Sequence, residues 1–154
     1  MEPDSDLGLR ALRGYFHDVA SSYYHRSVTD AEVVGYMQDS PSSDLTAPSG
    51  LFLLAERLGA ALGCIGLRVQ PDRLGIVTRV FVVAPIRGQG LADRLMDEME
   101  QRARGLGLTR LRLDTRDDLV AAHRLYARHG FIEVEQFNNE PFAERWFEKV
   151  LEGR

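Results

Sequence analysis

The segment best suited to chemistry is a glycine-containing turn that stands between an apolar, strand-like run and a helical stripe. Its residues are Arg87, Gly88, Gln89, Gly90, Leu91 and Ala92. Small residues allow a ligand to approach the backbone closely, and the start of a helix leaves several N–H groups without internal partners. Those donors and the positive end of the helix dipole favour a phosphate or pyrophosphate. The turn therefore predicts an anion-binding site, with a plain glycine turn before a core helix as the alternative.

Two other phosphate-binding motifs do not fit this turn. A P-loop requires Gly-Lys-Ser or Gly-Lys-Thr, which the sequence does not contain. The dinucleotide-binding fingerprint requires a third glycine where Asp93 stands, and a carboxylate at that place would repel a pyrophosphate. A different class of phosphate site is therefore expected.

The first half of the chain predicts two helices followed by a β meander. Apolar residues at helical spacing cover residues 6–26, and a second helix over residues 31–38 would be capped by Thr29 or Asp30. A loop rich in Ser, Pro and Asp follows at residues 39–50. Short apolar runs between turn residues then predict three strands, at residues 51–57, 61–69 and 74–83.

The second half alternates helices and strands. Apolar stripes predict helices over residues 88–106 and 119–126, and Gly130 would stop the second of them. Alternating apolar residues predict a strand at residues 110–115. Two final strands are predicted at residues 131–137 and 143–151. This order predicts an α/β domain with a mixed sheet, and a length of 154 residues fits one domain over residues 1–154.

The composition is that of an ordinary globular protein, with 44% hydrophobic and 27% charged residues. The single cysteine, Cys64, excludes an internal disulfide and a cysteine-cluster zinc site, and the histidines lack metal-ligand spacing, so no metal is expected. The apolar runs are far shorter than the roughly 18 residues needed to cross a membrane, and no secretory signal follows Met1. We therefore expect a cytoplasmic protein without a membrane partner.

Charge is distributed unevenly along the chain. The net charge of −4 argues against nucleic acid as a partner. Residues 73–128 carry eleven basic and seven acidic residues, a net charge of +4, whereas residues 1–72 and 129–154 are both net acidic. A basic middle favours an anionic ligand there, and the acidic ends favour a cationic or polar acceptor. A mixed charged surface is the alternative.

These motifs resemble those of the GNAT superfamily of acyl-CoA N-acyltransferases. That family carries the pattern R/Q-x-x-G-x-G/A after its fourth strand, which Arg87, Gly90 and Ala92 match. The segment AHRLYARHGF at residues 122–131 is similar to the family's A-x-x-L-Y-x-x-x-G-F segment. The separation of the two motifs along the chain also fits the family.

The resemblance implies a fold and a reaction. It covers residues 51–151 and leaves residues 1–50 as a helical region on the acceptor side. The fold would be a mixed central sheet with helices on both faces, in which the fourth and fifth strands splay apart to admit the pantetheine arm of acetyl-CoA. The reaction would transfer the acetyl group to a primary amine of a small molecule or a protein, by direct attack within a ternary complex.

The resemblance also implies which residues bind the cofactor. A strand end would bond the pantetheine through its backbone, with an N–H group near Val82 holding the oxyanion, and the glycine turn would cradle the pyrophosphate. The residues concerned are Phe81, Val82, Val83, Arg87, Gly88, Gln89, Gly90, Leu91 and Ala92. Tyr126 would contact the cofactor and protonate the departing thiolate, because a phenol with a pKa of about 10 stays protonated at neutral pH. An interior aromatic on an apolar helix face is the alternative for Tyr126.

Two positions depart from the family pattern. Ile76 stands where many relatives carry a glutamate as general base, and Leu119 replaces an asparagine that contacts the cofactor. The family pattern therefore does not identify the general base in this chain. Asp114 or Glu133 could act through water, and an amine of low pKa would need no strong base.

The acceptor is not identified by these residues. Asn138, Asn139 and Glu140 fall where relatives line the acceptor pocket, although a plain hairpin is the alternative. One fold serves many substrates, so the family does not name the acceptor either. A non-catalytic acyl-CoA-binding module that has lost its base is the second hypothesis, which Tyr126 disfavours because a pure binder has no use for a leaving-group acid. The sequence does not determine the oligomeric state, and a homodimer is one alternative.

Overall fold

The elements follow the hydrophobic pattern of the chain closely. The computed structural model describes residues 2–151, and its elements are α1 (Asp6–Tyr24), α2 (Asp30–Asp39), β1 (Gly50–Arg57), β2 (Ala60–Gln70), β3 (Leu74–Val82), α3 (Leu91–Gly105), β4 (Arg110–Thr115), α4 (Val120–Arg128), β5 (Ile132–Val134) and β6 (Arg145–Val150). A single 3-10 turn, Ala84–Ile86, follows β3. Of the two candidate caps of α2, Thr29 is the cap, and it forms a reciprocal capping box with Glu32.

The strands form one six-stranded sheet in the order β1-β2-β3-β4-β6-β5. β1, β2 and β3 are an antiparallel meander, β3 and β4 are parallel, and β6 pairs antiparallel with both β4 and β5. A parallel pair requires a crossover connection, which α3 provides. The predicted α/β class with a mixed central sheet is confirmed.

Helices cover both faces of the sheet. Successive residues of β2 point to opposite faces, so Cys64 packs with Leu12 of α1, whereas Ile65 packs with Met99 of α3 and Leu125 of α4. α2 lies beside α1 through a separate apolar cluster. No helix within residues 2–151 is long and apolar enough to span a membrane.

The element bounds differ from the prediction at two places. α3 begins at Leu91 rather than at residue 88, because Gly88 and Gly90 have φ angles of +79° and +86°, outside the helical region. β5 has only three residues, and residues 135–144 contain no regular element. Asn138 in that segment bonds to side chains of β4 and β6 instead of extending a strand ladder.

β3 and β4 separate soon after they begin to pair. Their parallel register covers only residues 74–76 of β3 and 110–112 of β4. A β-bulge in β3 accompanies the separation, because Arg79 and Val80 both stand opposite Ile65 of β2. The separated strand ends leave a gap within the sheet. Because β3 precedes the glycine turn, it takes the place of the family's fourth strand, so this gap is the one that the resemblance implied.

Candidate active site

Two cavities meet in the gap between β3 and β4. We call the first, of about 870 Å³, the glycine-turn cavity, because its lining includes Gly88 and Gly90 at the start of α3. We call the second, of about 660 Å³, the arginine cavity, and the arginines in its lining are Arg68, Arg79, Arg112 and Arg116. Side chains that line both cavities mark the junction, and they are Tyr15, Val19, Val80, Leu119 and Ala122. Ligands in the two cavities would therefore touch through the gap.

The turn before α3 forms a cradle of backbone donors. The first-turn N–H groups of α3 precede the first helical hydrogen bond, which runs from Arg94 to Gly90 (3.1 Å), and no side chain caps this end. A Cβ atom added to Gly88 or Gly90 would meet nothing within 4 Å, so the turn is open toward a ligand. Free donors at the positive end of a helix suit a pyrophosphate. The residues present therefore fit the phosphate part of a nucleotide cofactor.

The end of β3 offers a backbone donor to the gap. The Val83 N–H donates to the Leu62 carbonyl (2.9 Å), and the Val83 carbonyl accepts a bond within the following turn (3.2 Å), so both groups are engaged. Antiparallel pairing alternates along a strand, so the N–H and carbonyl of Val82 face away from β2. The Val82 carbonyl accepts from Arg87 Nε (2.8 Å). Within residues 2–151 the Val82 N–H is therefore left for a ligand.

Asp93 does not oppose an anion in the way that its sequence position suggested. Its carboxylate lies 3.1 Å from Arg128 and 2.9 Å from His129, near the end of α4. Burial raises the pKa of Asp93, but hydrogen bonds from His129 and Arg128 outweigh it and hold that pKa below its usual value. The negative charge is thus balanced by Arg128 beside the glycine-turn cavity.

Tyr126 projects from α4 into the arginine cavity. It is 5% exposed, packs against Phe131 and Phe147, and lines the arginine cavity but not the glycine-turn cavity. Burial raises the pKa of Tyr126, and Tyr15 and Asp114 raise it further. Its hydroxyl has no hydrogen-bond partner in the described part of the chain. The phenol is therefore a protonated donor that is available to a ligand.

Asp114, at the end of β4, faces the same cavity. Its Oδ2 accepts from Asn138 Nδ2 (2.9 Å), and Asn138 Oδ1 accepts from Trp146 Nε1 (2.9 Å), so two side chains fix the carboxylate. Burial is the largest influence and raises the pKa of Asp114, and Glu140 adds to it. The bond from Asn138 and the charges of two arginines lower that pKa by less. A raised pKa makes this carboxylate a better proton acceptor near neutral pH.

The other sequence-predicted positions are divided between the cavities and the surface. Ile76, Asn138 and Glu140 line the arginine cavity, and Leu119 lies at the junction. Four positions line neither cavity, namely Val83, Gln89, Glu133 and Asn139. Glu133 is exposed on β5 with Arg145 at 3.9 Å, so it is remote from the gap. Of the two candidate bases, only Asp114 therefore faces a cavity.

Sequence reasoning missed two residues of the site, Tyr15 and Arg79. Tyr15 belongs to the apolar stripe of α1 and was counted with the core, yet it lines both cavities. Burial raises the pKa of Tyr15, while the nearby charge of Arg79 lowers it by less. Arg79 lies inside β3 with a φ of +59° and is buried. A charged residue within the run VTRVFV was the available signal.

Known proteins resemble this chain in sequence. A model of the acetyltransferase (GNAT) family matches residues 2–131. The IAA acetyltransferase of Azospirillum brasilense is 33% identical over 90 residues, which cover 58% of this chain and 59% of that protein. The aminoalkylphosphonate N-acetyltransferase of Salmonella typhimurium is 30% identical over 99 residues, which cover 61% of this chain and 64% of that protein. The chain thus matches less than two thirds of the length of either relative.

A solved structure resembles the fold. The PaiA N-acetyltransferase of Thermoplasma acidophilum in complex with coenzyme A superposes with a TM-score of 0.73 at 15% identity, covering 93% of this chain and 92% of that one. At this identity the likeness is one of fold. The family model, by contrast, spans most of the sequence, including both motifs that line the gap. The chain belongs to the GNAT acetyltransferase family.

Proposed function

We propose that this protein is an N-acetyltransferase that moves the acetyl group of acetyl-CoA to a primary amine. The observation that carries the proposal is the junction of the two cavities in the gap between β3 and β4. One cavity has a cradle for phosphates, and the other has a buried phenol and a buried carboxylate. Donor and acceptor held in these cavities would meet in a ternary complex. Family membership and the coenzyme A complex of the Thermoplasma relative support this assignment.

The glycine-turn cavity would hold acetyl-CoA mainly through the backbone. The N–H groups of Gly88 and of residues 90–93 would bind the pyrophosphate, and the backbone of Val82 would bond the pantetheine arm, with Phe81 lining the cavity beside it. When bound, acetyl-CoA supplies a thioester. The Val82 N–H would stabilise the negative charge that develops on the carbonyl oxygen during attack. Val83 and Gln89 are left out of this proposal, because they do not line the cavity.

Tyr126 would act as the general acid and Asp114 as the general base. The Tyr126 hydroxyl, protonated at neutral pH and without a partner, would donate its proton to the departing sulfur. Asp114, held by Asn138, would accept a proton from the attacking amine directly or through one water molecule. Each such proton transfer typically contributes about 10²–10⁴ in rate. The hydrocarbon side chain of Ile76 cannot accept a proton.

We also propose a domain organisation, a location and a class of partner for the enzyme. We infer a single domain over residues 1–154, because α1 packs on the same sheet as the motifs that match the family. The single cysteine supports a reducing, cytoplasmic location, and the net charge of −4 argues against a nucleic-acid partner. Light scattering would distinguish a monomer from a homodimer. The name of the Salmonella relative supports testing small amines before protein amines.

The test is transfer itself. We expect the protein to release free thiol from acetyl-CoA only when an amine from a panel is present, with the acetylated amine detected by mass spectrometry. A Tyr126→Phe preparation made in the same way controls for a contaminating enzyme. The second hypothesis, a binding module without activity, is favoured by Ile76 at the usual base position. This second hypothesis predicts that calorimetry detects acetyl-CoA binding, while no amine in the panel causes thiol release.

A further inference from the structure

We propose that the acceptor amine carries an anionic group, a carboxylate or a phosphonate, and that Arg79 binds this group in the arginine cavity. The inference rests on the proposed function, because it names the acceptor class of the same site. It makes Arg79 a specificity-determining residue.

Arg79 is a buried cation. Its side chain is 6% exposed, lies at the bulge of β3 and lines the arginine cavity. Burial lowers the pKa of Arg79, which reflects the cost of removing a charge from water. A buried charge without a counter-charge is strongly destabilising. A ligand that brings the counter-charge would relieve this cost.

No carboxylate lies at ion-pair distance from Arg79 within residues 2–151. The other arginines of the cavity do have such partners, namely Arg68 with Asp44 (2.7 Å), Arg112 with Glu148 (2.7 Å), and Arg116 with Asp118 (3.1 Å) and Glu144 (3.0 Å). The Nη1 atom of Arg116 is out of hydrogen-bond alignment with Glu144, but its charge is still balanced by two acids. Arg79 is therefore the cavity arginine whose charge lacks compensation.

Neutral groups hold the Arg79 guanidinium in place. It donates to four oxygens, which are Ser42 Oγ (3.2 Å), Thr78 Oγ1 (3.0 Å), and the carbonyl and Oγ of Ser40 (both 3.1 Å). The rings of Tyr15 and Phe16 lie 5.6 and 4.8 Å from its Cζ. These bonds use four of the five N–H groups and cancel none of the charge. Tyr15 is a further hydrogen-bond partner of this guanidinium, and it too is uncharged, so the full positive charge is left for an anion.

Asp114 supplies the opposite pole of the cavity. The charges of Arg79 and Arg68 act on its carboxyl, so these groups lie within electrostatic range of one another. An acceptor with an amine and an anionic group could place the amine at Asp114 and the anion at Arg79. A polyamine would instead bring a second cation against an uncompensated arginine. Charge complementarity therefore favours a zwitterionic acceptor.

This preference differs from the one that the acidic ends of the chain suggested. Several acids of those segments are engaged by the arginines of the cavity, and they are Asp44, Glu144 and Glu148. Glu140 lines the cavity but acts on Arg79 only at longer range. The net charge of a segment thus differs from the charge that an acceptor would meet.

The exposed edge of the cavity is aromatic. Tyr23, Tyr24, Tyr36 and Phe142 line it, with ring centroids 5.1–6.4 Å apart. Such a rim suits an acceptor with an apolar or aromatic body. Phenylalanine and its relatives are therefore suitable probes.

The test measures binding to the protein saturated with coenzyme A, so that no transfer occurs. Calorimetry would compare phenylalanine, its phosphonate analogue and 2-phenylethylamine, and then 4-aminobutyrate with butylamine. In at least one set we expect the member that carries an anionic group to bind tenfold or more tightly than the amine that lacks one. Carboxylate and phosphonate in the first set distinguish the two anion chemistries. If the amines that lack an anionic group bind as tightly as those that carry one in both sets, the proposal is wrong.

Variants assign the preference to Arg79. Arg79→Gln should reduce at least tenfold the ratio of affinities between ligands with and without an anionic group, and Arg79→Lys should retain part of that ratio. Arg57→Gln, which removes a charge at the exposed end of β1, should leave the ratio unchanged. An Arg79→Gln protein that keeps the full ratio would show that Arg79 only anchors residues 40–42. If Arg79→Gln does not fold, the ratio measured with Arg79→Lys replaces it, and an unchanged ratio would remove the role of Arg79.

The proposed function fails separately from this inference. Transfer to amines that lack an anionic group, with no advantage for those that carry one, would keep the enzyme and remove the role of Arg79. Tight, Arg79-dependent binding of an anionic amine without any thiol release would keep the acceptor site and remove the catalytic assignment.

Discussion

The two cavities are built in different ways. The glycine-turn cavity takes its donors from one continuous stretch, residues 81–93, and mostly from the backbone. The arginine cavity takes its functional groups from side chains of both N-terminal helices, of β2, β3, β4 and α4, and of residues 137–143. A ligand shared by a whole family can be held by backbone geometry, whereas an acceptor that differs among relatives must be recognised by side chains. The cavity that binds the common ligand is therefore the one whose donors form a continuous sequence motif.

The prediction with the largest expected effect separates the chemical step from cofactor binding. Tyr126→Phe keeps the ring and its contacts with Phe131 and Phe147 but removes the proton. We expect kcat to fall about 10²–10⁴-fold, equivalent to roughly 3–5 kcal/mol of barrier, when measured under conditions in which chemistry limits the rate. Coenzyme A affinity and Tm should stay nearly constant, because the hydroxyl makes no hydrogen bond within residues 2–151.

Two results would contradict this assignment. Loss of the folded state in Tyr126→Phe would mean that the phenol is mainly structural. Full activity would mean that water or another side chain supplies the proton. Either result would remove Tyr126 as the general acid and so weaken the division between the two cavities.

The next test addresses the backbone cradle. Gly90→Glu would introduce strain at a φ of +86° and put a carboxylate where the pyrophosphate is expected. We expect coenzyme A to bind about 100-fold more weakly by calorimetry, which corresponds to roughly 3 kcal/mol. Gly59→Glu is the matched control, because Gly59 has a φ of +79° and open space around it in the turn between β1 and β2. Equal losses in both variants would indicate strain rather than a cofactor site.

Much of the fold was predictable because its determinants are local. The spacing of apolar residues located all six strands and four helices of the described chain, and residue types narrowed the cap of α2 to Thr29 or Asp30, of which Thr29 is the cap. The start of α3 was predicted too early, at residue 88. The helical pattern of the sequence extends back to Gly88, but the positive φ of Gly88 lies outside the helical region. The length of β5 was misjudged because the bonds of Asn138 come from residues distant in the sequence.

The arginine cavity was predictable only in part. Tyr126 and Asp114 were identified because one belongs to a motif and the other ends a strand. Arg79 was not, because its role depends on a β-bulge and on the absence, within residues 2–151, of a carboxylate at ion-pair distance. Neither feature has a signature in the sequence, and net charges of segments do not reveal which arginines are already paired.

The smallest expected effect concerns the cost of keeping Asp114 ionised. Burial raises the pKa of Asp114 above its value in the unfolded chain, so the folded protein binds this proton more tightly. The stability that this carboxyl contributes therefore falls as pH rises from about 4 through the folded pKa, and it stays low above it. Asp114→Asn keeps an oxygen that can accept from Asn138 but carries no charge. We expect its Tm to exceed that of the wild type at pH 7–8 by about 2–4 °C.

The pH dependence and the activity of Asp114→Asn make this prediction specific. The difference in Tm should shrink toward pH 4, where the wild-type carboxyl becomes protonated in both states, and acetyl transfer should decrease although stability increases. Glu56→Gln, at the exposed end of β1, should show neither effect. If Asp114→Asn is instead less stable at pH 7 and unchanged at pH 4, Arg79 and Arg68 stabilise the ionised carboxylate more than burial destabilises it. Asp114 would then be the counter-charge of the cavity, and Arg79 would no longer need one from the acceptor.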